Sequence, residues 1–200
     1  MIKIDADTTI FLDFDDTLFD YTKAVNHLLE EVEVYGITKD DWYSTYEKIK
    51  AEHGAYNREE HFKLMSEIAS EDIDLKAIYR KYISKPGVYL FKDAIKFLEK
   101  YKGNPIYIIS YGETEYQREK ISGSGITKYA KDIIVTIGSK AGVINGISYK
   151  KGVFIDDRVV HALDVSSKCK NMDTLLIDRR GEHERGKVRV YSIINTLDDI

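Results

Sequence analysis

A chain of 200 residues, 43% hydrophobic and 32% charged with both signs interspersed, can bury a real core and does not have the make-up of a disordered segment; its length fits one domain of roughly 100 to 200 residues, or one carrying a sizeable insertion. The net charge of −4 lacks the clustered-cation footprint of sequence-independent nucleic-acid binding, so the expected partner is a small molecule. A single cysteine, Cys169, rules out intrachain disulfides and cysteine-based zinc sites, and no apolar run approaches the roughly 18 residues of a membrane span, so the chain reads as a cytoplasmic protein.

The first expected element is a strand over residues 8–13, a short β-branched and apolar run that ends where Asp13, Asp15 and Asp16 crowd together. Four helical patterns follow with no convincing strand between them. Tyr21, Ala24, Val25, Leu28, Leu29 and Val32 share one face of the first, which stops at Gly36. The second follows Thr38 and carries Trp42, Tyr46 and Ile49; the third follows Asn57 and carries Phe62, Met65 and Ile68; the fourth carries Leu75, Ile78, Tyr79 and Tyr82. An all-helical block inserted after the first strand is expected to form a small bundle over that strand's end, a cap of residues 20–86 on a core of residues 1–19 and 87–200. Leu18, Phe19 and Asp20 are its outgoing hinge, and Lys85, Pro86 and Gly87 its return.

Beyond the block, strands are expected at residues 105–110, 132–137, 153–156 and 174–178, with helical patterns between them. One helix opens on a capping box at Thr114 and Gln117 and runs to Gly123, and another spans residues 158–169 with Val159, Val160, Leu163 and Val165 as its apolar positions. The strand patterns are continuous rather than alternating, as in strands covered on both faces. Strands alternating with helices give an α/β fold, a doubly wound parallel sheet with an inserted all-helical cap.

Ligands of open α/β sheets bind outside the carboxyl ends of the strands. Asp13 ends the first strand, Ser110 the second, Asp156 and Asp157 the fourth, and Lys140 lies just past the third. Lys131, Lys150 and Lys151 precede their strands and so sit roughly 15 Å away at the opposite edge, at about 3.3 Å per residue. Asp13 and Asp15 are spaced i, i+2, so on an extended chain both side chains point the same way while Phe14 points into the packing. Such a pair can work as nucleophile and general acid–base if a cation suppresses its repulsion, and the second acidic pair supplies further oxygen ligands suited to a hard ion such as Mg²⁺.

This constellation resembles the haloacid dehalogenase-like (HAD) superfamily of aspartate-nucleophile hydrolases. Its four motifs are matched by D-F-D-D-T from Asp13 to Thr17, I-I-S from Ile108 to Ser110, the lysine of G-S-K-A-G at Lys140, and F-I-D-D from Phe154 to Asp157. The resemblance implies a Rossmann-like core with the family's first type of cap, and a Mg²⁺-dependent phosphatase acting on a small phosphomonoester, a metabolite or nucleotide. Asp13 would attack phosphorus and form an aspartyl-phosphate; Asp15 would protonate the leaving oxygen and then activate water. Asp13, the backbone carbonyl of Asp15, and Asp156 or Asp157 would hold Mg²⁺, while Ser110 and Lys140 would hold phosphate oxygens.

Other readings stay open at this level. Thr17 either orients the nucleophile's loop or caps a helix, Tyr111 and Gly112 permit a tight bend that aims N–H groups at an anion, and Asp157 could cap the helix that follows. In the insert, His53, Tyr56, Asn57, Arg58 and His61 cluster near a loop, with Arg58 and His61 the candidates for substrate specificity against the plainer reading of a solvated helix start. Residues 179–185 follow the fifth strand and could border the site, with a mobile polar loop as the default, and Tyr43 and Tyr46 read as packing residues. The rival functions are a phosphotransferase or mutase on the same core, a dehalogenase, a receiver-like signalling domain built on a phosphoaspartate, and a non-catalytic phosphate-binding protein.

Overall fold

The computed structural model describes residues 2–54, 56–83, 87–182 and 191–200. Six parallel strands form one sheet in the order β3-β2-β1-β4-β5-β6. They are β1 (Thr8–Leu12), β2 (Ile106–Tyr111), β3 (Asp132–Thr136), β4 (Lys151–Asp156), β5 (Met172–Ile177) and β6 (Ser192–Ile194). Every residue of β1 is buried, and so are all but the last of β2 and all but the first of β4, which accounts for their unbroken apolar runs. The three-residue edge strand β6 falls outside the expected set, since it is too short to carry a period.

Strand order reverses direction at β1. From β1 the chain builds outward through β2 and β3, then returns to β4 on the other side, so β1 and β4 flank the switch point at which such sheets open a crevice. Their register aligns Leu12 with Ile155, and the Asp13 N–H donates to the Ile155 carbonyl at 2.9 Å. Asp13 and Asp156 therefore leave the sheet side by side.

Between β1 and β2 lie α1 (Tyr21–Val32), α2 (Lys39–His53), α3 (Arg58–Ile68), α4 (Leu75–Ile83) and α5 (Lys92–Lys100). The first three start on side-chain caps: Asp20 accepts from Lys23 N–H, Thr38 and Asp41 form a reciprocal capping box, and Asn57 accepts from Glu60 N–H. The inward residues follow the expected faces, with Leu28, Trp42, Phe62, Met65 and Tyr79 all buried. Ile68 is the exception and stands half-exposed at the end of α3. One hydrophobic cluster runs unbroken from Leu12 and Phe14 of the sheet to Trp42, Phe62 and Tyr79 of the insert.

The chain segments entering and leaving the insert are tied to each other. Asp20 N–H donates to Tyr89 O at 2.8 Å and Phe91 N–H to Leu18 O at 3.0 Å, with an antiparallel bridge between Phe19 and Leu90. Phe19 stacks on Phe14 and meets Tyr89 edge-on. Of the expected return segment, Gly87 is described, with φ +68°, while Lys85 and Pro86 lie outside the described residues.

After β2 come α6 (Thr114–Ser124), α7 (Lys140–Asn145) and α8 (Val159–Lys168). Two expectations need correction here. The cap of α6 is Glu113, whose carboxylate takes the N–H groups of Glu115 and Tyr116, so Thr114 is the first helical residue and Gln117 is free for another partner. In α8 the buried residues are His161, Ala162 and Val165, while Val160 and Leu163 are well exposed. A histidine with a buried acidic partner has displaced the apolar stripe.

Candidate active site

The loop after β1 sets the site. Asp13 is 5% exposed, and both Asp13 and Asp15 line a cleft of about 680 Å³. Asp16 stands in left-handed backbone at φ +53°, which turns the chain sharply after the second carboxylate, and its own carboxylate ties the turn down through Thr22 N–H and hydroxyl. The remaining wall comes from the ends of β2, β3 and β4, including Tyr111, Gly112, Ser139, Lys140 and Asp157, and from the insert through Tyr46, Lys50 and Tyr56. Tyr46 thus reaches the cleft, whereas Tyr43 stands partly exposed outside its lining.

Lys140 is the charge centre of the site. It occupies the first turn of α7, whose start is capped by Ser139, and its side chain is fully buried. Its Nζ lies 2.5 Å from Asp13 Oδ1 and 2.7 Å from Asp156 Oδ2. Burial opposes the ammonium charge, but the two carboxylates outweigh it and hold the Lys140 pKa above its ordinary value. For Asp13 the balance goes the other way: burial, joined by the charges of Asp156 and Asp15, pushes its pKa up to about 6 against the pull of Lys140.

The second acidic pair divides its work. Asp156 is fully buried and committed, taking Lys140, His161 Nδ1 at 3.2 Å and the Arg158 N–H at 2.8 Å. Burial raises its pKa, yet Lys140 and His161 more than reverse that, and it sits below the usual carboxylate range. Asp157 lines the cleft and has no hydrogen-bond or ion-pair partner among the described residues. Burial, with the charges of Asp13, Asp156 and Asp16, pushes its pKa up to about 9. Asp157 therefore does not cap α8; the loop's N–H is satisfied by Asp156.

Oxygens of Asp13, Asp156 and Asp157 all lie within 4.8 Å of one another. Three carboxylates at that spacing, one with no protein cation against it, form a donor set that suits a hard divalent ion. Three further polar atoms, Asp15 Oδ1, Thr17 Oγ1 and Ser110 Oγ, are buried with no protein partner among the described residues. Such atoms call for an explanation, and a bound oxyanion or water would supply one.

Ser110 is the penultimate residue of β2, at 1% exposure, and the next two residues, Tyr111 and Gly112, line the cleft. Gly112 has φ +147°, and a Cβ there would stand 2.8 Å from Gln117 Nε2. Gly112→Ala is expected to cost about 1–3 kcal/mol from backbone strain and to push Gln117 off its partners, measured as a lowered thermal midpoint. An unchanged midpoint would show that the bend tolerates a side chain.

The two specificity candidates are not brought to the cleft. His61 is fully buried, with Nε2 on Trp42 O at 3.1 Å and Nδ1 on the Tyr56 hydroxyl at 3.0 Å, and burial drops its pKa to about 4. Arg58 pairs with Glu119 at 2.5 Å and lies over the rings of Tyr79 and Tyr116. Both tie the insert together or fasten it to α6. Of the same cluster Tyr56 alone lines the cleft, Asn57 caps α3, and His53 pairs with Glu60.

Residues missed in the sequence include Gln117, Lys120 and His161, while Arg179 and Arg180 fall in the segment that the sequence offered as a border of the site against the default of a mobile loop. Arg179 donates to Thr17 O at 2.6 Å and to Asp93, and Arg180 pairs with Asp16 at 2.8 Å. The expected mobile loop after β5 is instead a clamp on the turn that carries the carboxylates, as far as Glu182; residues 183–185 lie outside the described residues. The spacing Tyr116, Gln117, Lys120, Ile121 was a legible signal, since it puts a lysine on a buried helix face.

No protein-family model and no curated protein sequence matches the chain. Solved structures do. A proposed haloacid dehalogenase-like hydrolase from Burkholderia xenovorans superposes with a TM-score of 0.75 at 17% identity, covering 96% of each chain. The proposed HAD-hydrolase YfnB from Bacillus subtilis, bound to magnesium, gives 0.65 at 18% identity over 96% of each chain. L-2-haloacid dehalogenase from Xanthobacter autotrophicus, with chloropropionic acid covalently bound, gives 0.63 at 11% identity over 96% of each. The chain has the haloacid dehalogenase-like fold, a Rossmann-like parallel sheet with helices inserted after its first strand.

Proposed function

We propose that this chain is a Mg²⁺-dependent phosphatase that hydrolyses a small phosphomonoester through an aspartyl-phosphate on Asp13. The observation that carries the reading is the pairing of two differently equipped carboxylates on one loop: Asp13 beside Lys140 and the acidic triad, Asp15 at the cleft wall two residues on. Asp13 has an ionisable, cation-flanked oxygen for attack on phosphorus. Asp15 is placed to give a proton to the departing alkoxide and then to take one from the water that attacks the aspartyl-phosphate, which releases phosphate and restores Asp13.

Asp13 and Asp157, with Asp156 behind them, would hold Mg²⁺, which when bound supplies positive charge against the carboxylates and the phosphate oxygens. Asp157 is the better direct ligand of the acidic pair, because Asp156 is already spent on Lys140, His161 and the backbone. Lys140, Ser110, Thr17 and the N–H groups of the Tyr111–Gly112 bend would take phosphate oxygens. Helices α1–α4 act as the cap, with Tyr46, Lys50 and Tyr56 facing the leaving group. A dehalogenase needs the first aspartate but leaves Asp15 and Asp157 idle.

A panel of phosphate monoesters with Mg²⁺ tests this reading. Turnover is expected on at least one ester, abolished by EDTA and lowered on the order of 10⁴-fold or more in Asp13→Asn. A flat panel, or undiminished turnover in Asp13→Asn, would overturn it.

A further inference from the structure

Asp15 has a buried lysine of its own. Lys120, from α6, is fully buried, and its Nζ stands 2.5 Å from Asp15 Oδ2. Its ammonium lies over the faces of Tyr21 at 4.3 Å and Tyr116 at 4.6 Å, whose hydroxyls hydrogen-bond to each other at 2.8 Å. One turn earlier on the same helix, Gln117 Nε2 donates to the same Asp15 Oδ2 at 3.0 Å and to Tyr111 O at 3.0 Å. Asp15 is thus gripped by two donors from one rigid helix, through a single oxygen, while its Oδ1 has no protein partner among the described residues.

Stability alone is a poor account of this arrangement. Bringing an ammonium fully out of water costs several kcal/mol, and an apolar side chain of the same size would fill the space between Tyr21, Tyr116 and Phe14 at no such cost. The ion pair also sits at the cleft wall, on the carboxylate placed to exchange protons, and not at a remote seam of the fold.

We propose, building on the phosphatase reading above, that Lys120, assisted by Gln117, is the positioning residue of Asp15. It fixes the carboxylate's rotation so that the acid–base group meets the leaving oxygen in one orientation. A contribution of this kind is large where the leaving oxygen must be protonated and small where it departs readily as an anion.

The test compares kcat/KM for an alkyl phosphate and for p-nitrophenyl phosphate in wild type, Lys120→Met, Lys120→Arg, Gln117→Met, Asp15→Asn and the Lys120→Met/Asp15→Asn double variant, each checked by thermal melt. Lys120→Met is expected to lose about 10²-fold or more on the alkyl ester and under about tenfold on the nitrophenyl ester. Lys120→Arg should recover part of that loss, and Gln117→Met should show a weaker form of the same selectivity. The double variant should be no worse than Asp15→Asn, because the two residues act as one unit.

Equal losses on both esters, or additive losses in the double variant, would overturn the positioning role even with the phosphatase reading intact. The alkyl ester is the best alkyl phosphate of the panel above; a wild-type protein that turns over no ester of that panel would overturn the phosphatase reading, and this inference with it. If Lys120→Met does not fold, the selectivity of Lys120→Arg and Gln117→Met decides the question, and its absence in both would overturn the proposal.

Discussion

Lys140→Met is expected to melt roughly 6–20 °C below the wild-type protein at pH 8. Removing one partner of a buried ion pair costs about 3–5 kcal/mol, and a chain of this size loses about 2–4 °C per kcal/mol. The cause is specific: Asp13 and Asp156 would be left facing each other at 5% and 0% exposure without the ammonium that now lies within 2.7 Å of each. The same change in Lys151, a half-exposed lysine at the amino end of β4, should cost less than about 0.5 kcal/mol, a midpoint shift under about 2 °C.

The pH dependence separates this cause from a simple packing defect. Asp156 is held below its ordinary pKa in the folded protein, so its contribution to stability is present above the unfolded value near 3.8 and is lost as pH falls through the lowered one. Lys140→Met removes most of that contribution. Asp13, which titrates near 6, carries little charge by pH 5 in any case. The gap between wild type and variant should therefore narrow from pH 8 to pH 5 and keep closing in more acid solution. A gap of constant size would mean that the lost volume, not the lost charge, sets the cost. On the proposed mechanism turnover should fall with stability, because Lys140 flanks the carboxylate that would attack and would take phosphate oxygens.

What could be read from the chain, and what could not, follows from how each residue announces itself. Asp13, Asp15, Asp156 and Asp157 are carboxylates at strand ends, where a charge is conspicuous against an apolar run. Lys140 was identified by elimination, because its rivals precede their strands; Lys151 does lie at the opposite end of β4, bonded to Lys3 O. Lys120 and His161 sit on helices, where a polar residue is ordinarily solvent-facing; the helical spacing hints at burial for Lys120, but only the bond to Asp156 reveals His161. Arg179 and Arg180 depend on contacts spanning more than 160 residues of sequence, with Thr17 and Asp16, which no local pattern encodes. His61 and Arg58 misled for the converse reason: types suited to substrate binding, held instead by Trp42, Tyr56 and Glu119 in the packing of the insert and α6.

Mg²⁺ is expected to stabilise the protein increasingly as pH rises. In the metal-free protein Asp157 carries a pKa near 9 against about 3.8 unfolded, so between those values the folded state holds the extra proton. Stability then falls with rising pH across that window, because the native state must either keep a proton or expose an uncompensated charge. A divalent ion on Asp13 and Asp157 binds the ionised form and reverses that loss; at a concentration about 100 times its Kd it adds about 2.7 kcal/mol, or roughly 5–11 °C for a chain of this size. Melts in EDTA should therefore drop from pH 5 to pH 8, while melts in Mg²⁺ stay level or rise, so the two curves diverge. Asp157→Asn should raise the EDTA midpoint at pH 8, flatten its pH slope and erase most of the Mg²⁺ effect. Parallel EDTA and Mg²⁺ curves would place the ion elsewhere. An Asp157→Asn protein that still gained full stability from Mg²⁺ would assign the direct ligand to Asp156, at the expense of its bond to Lys140.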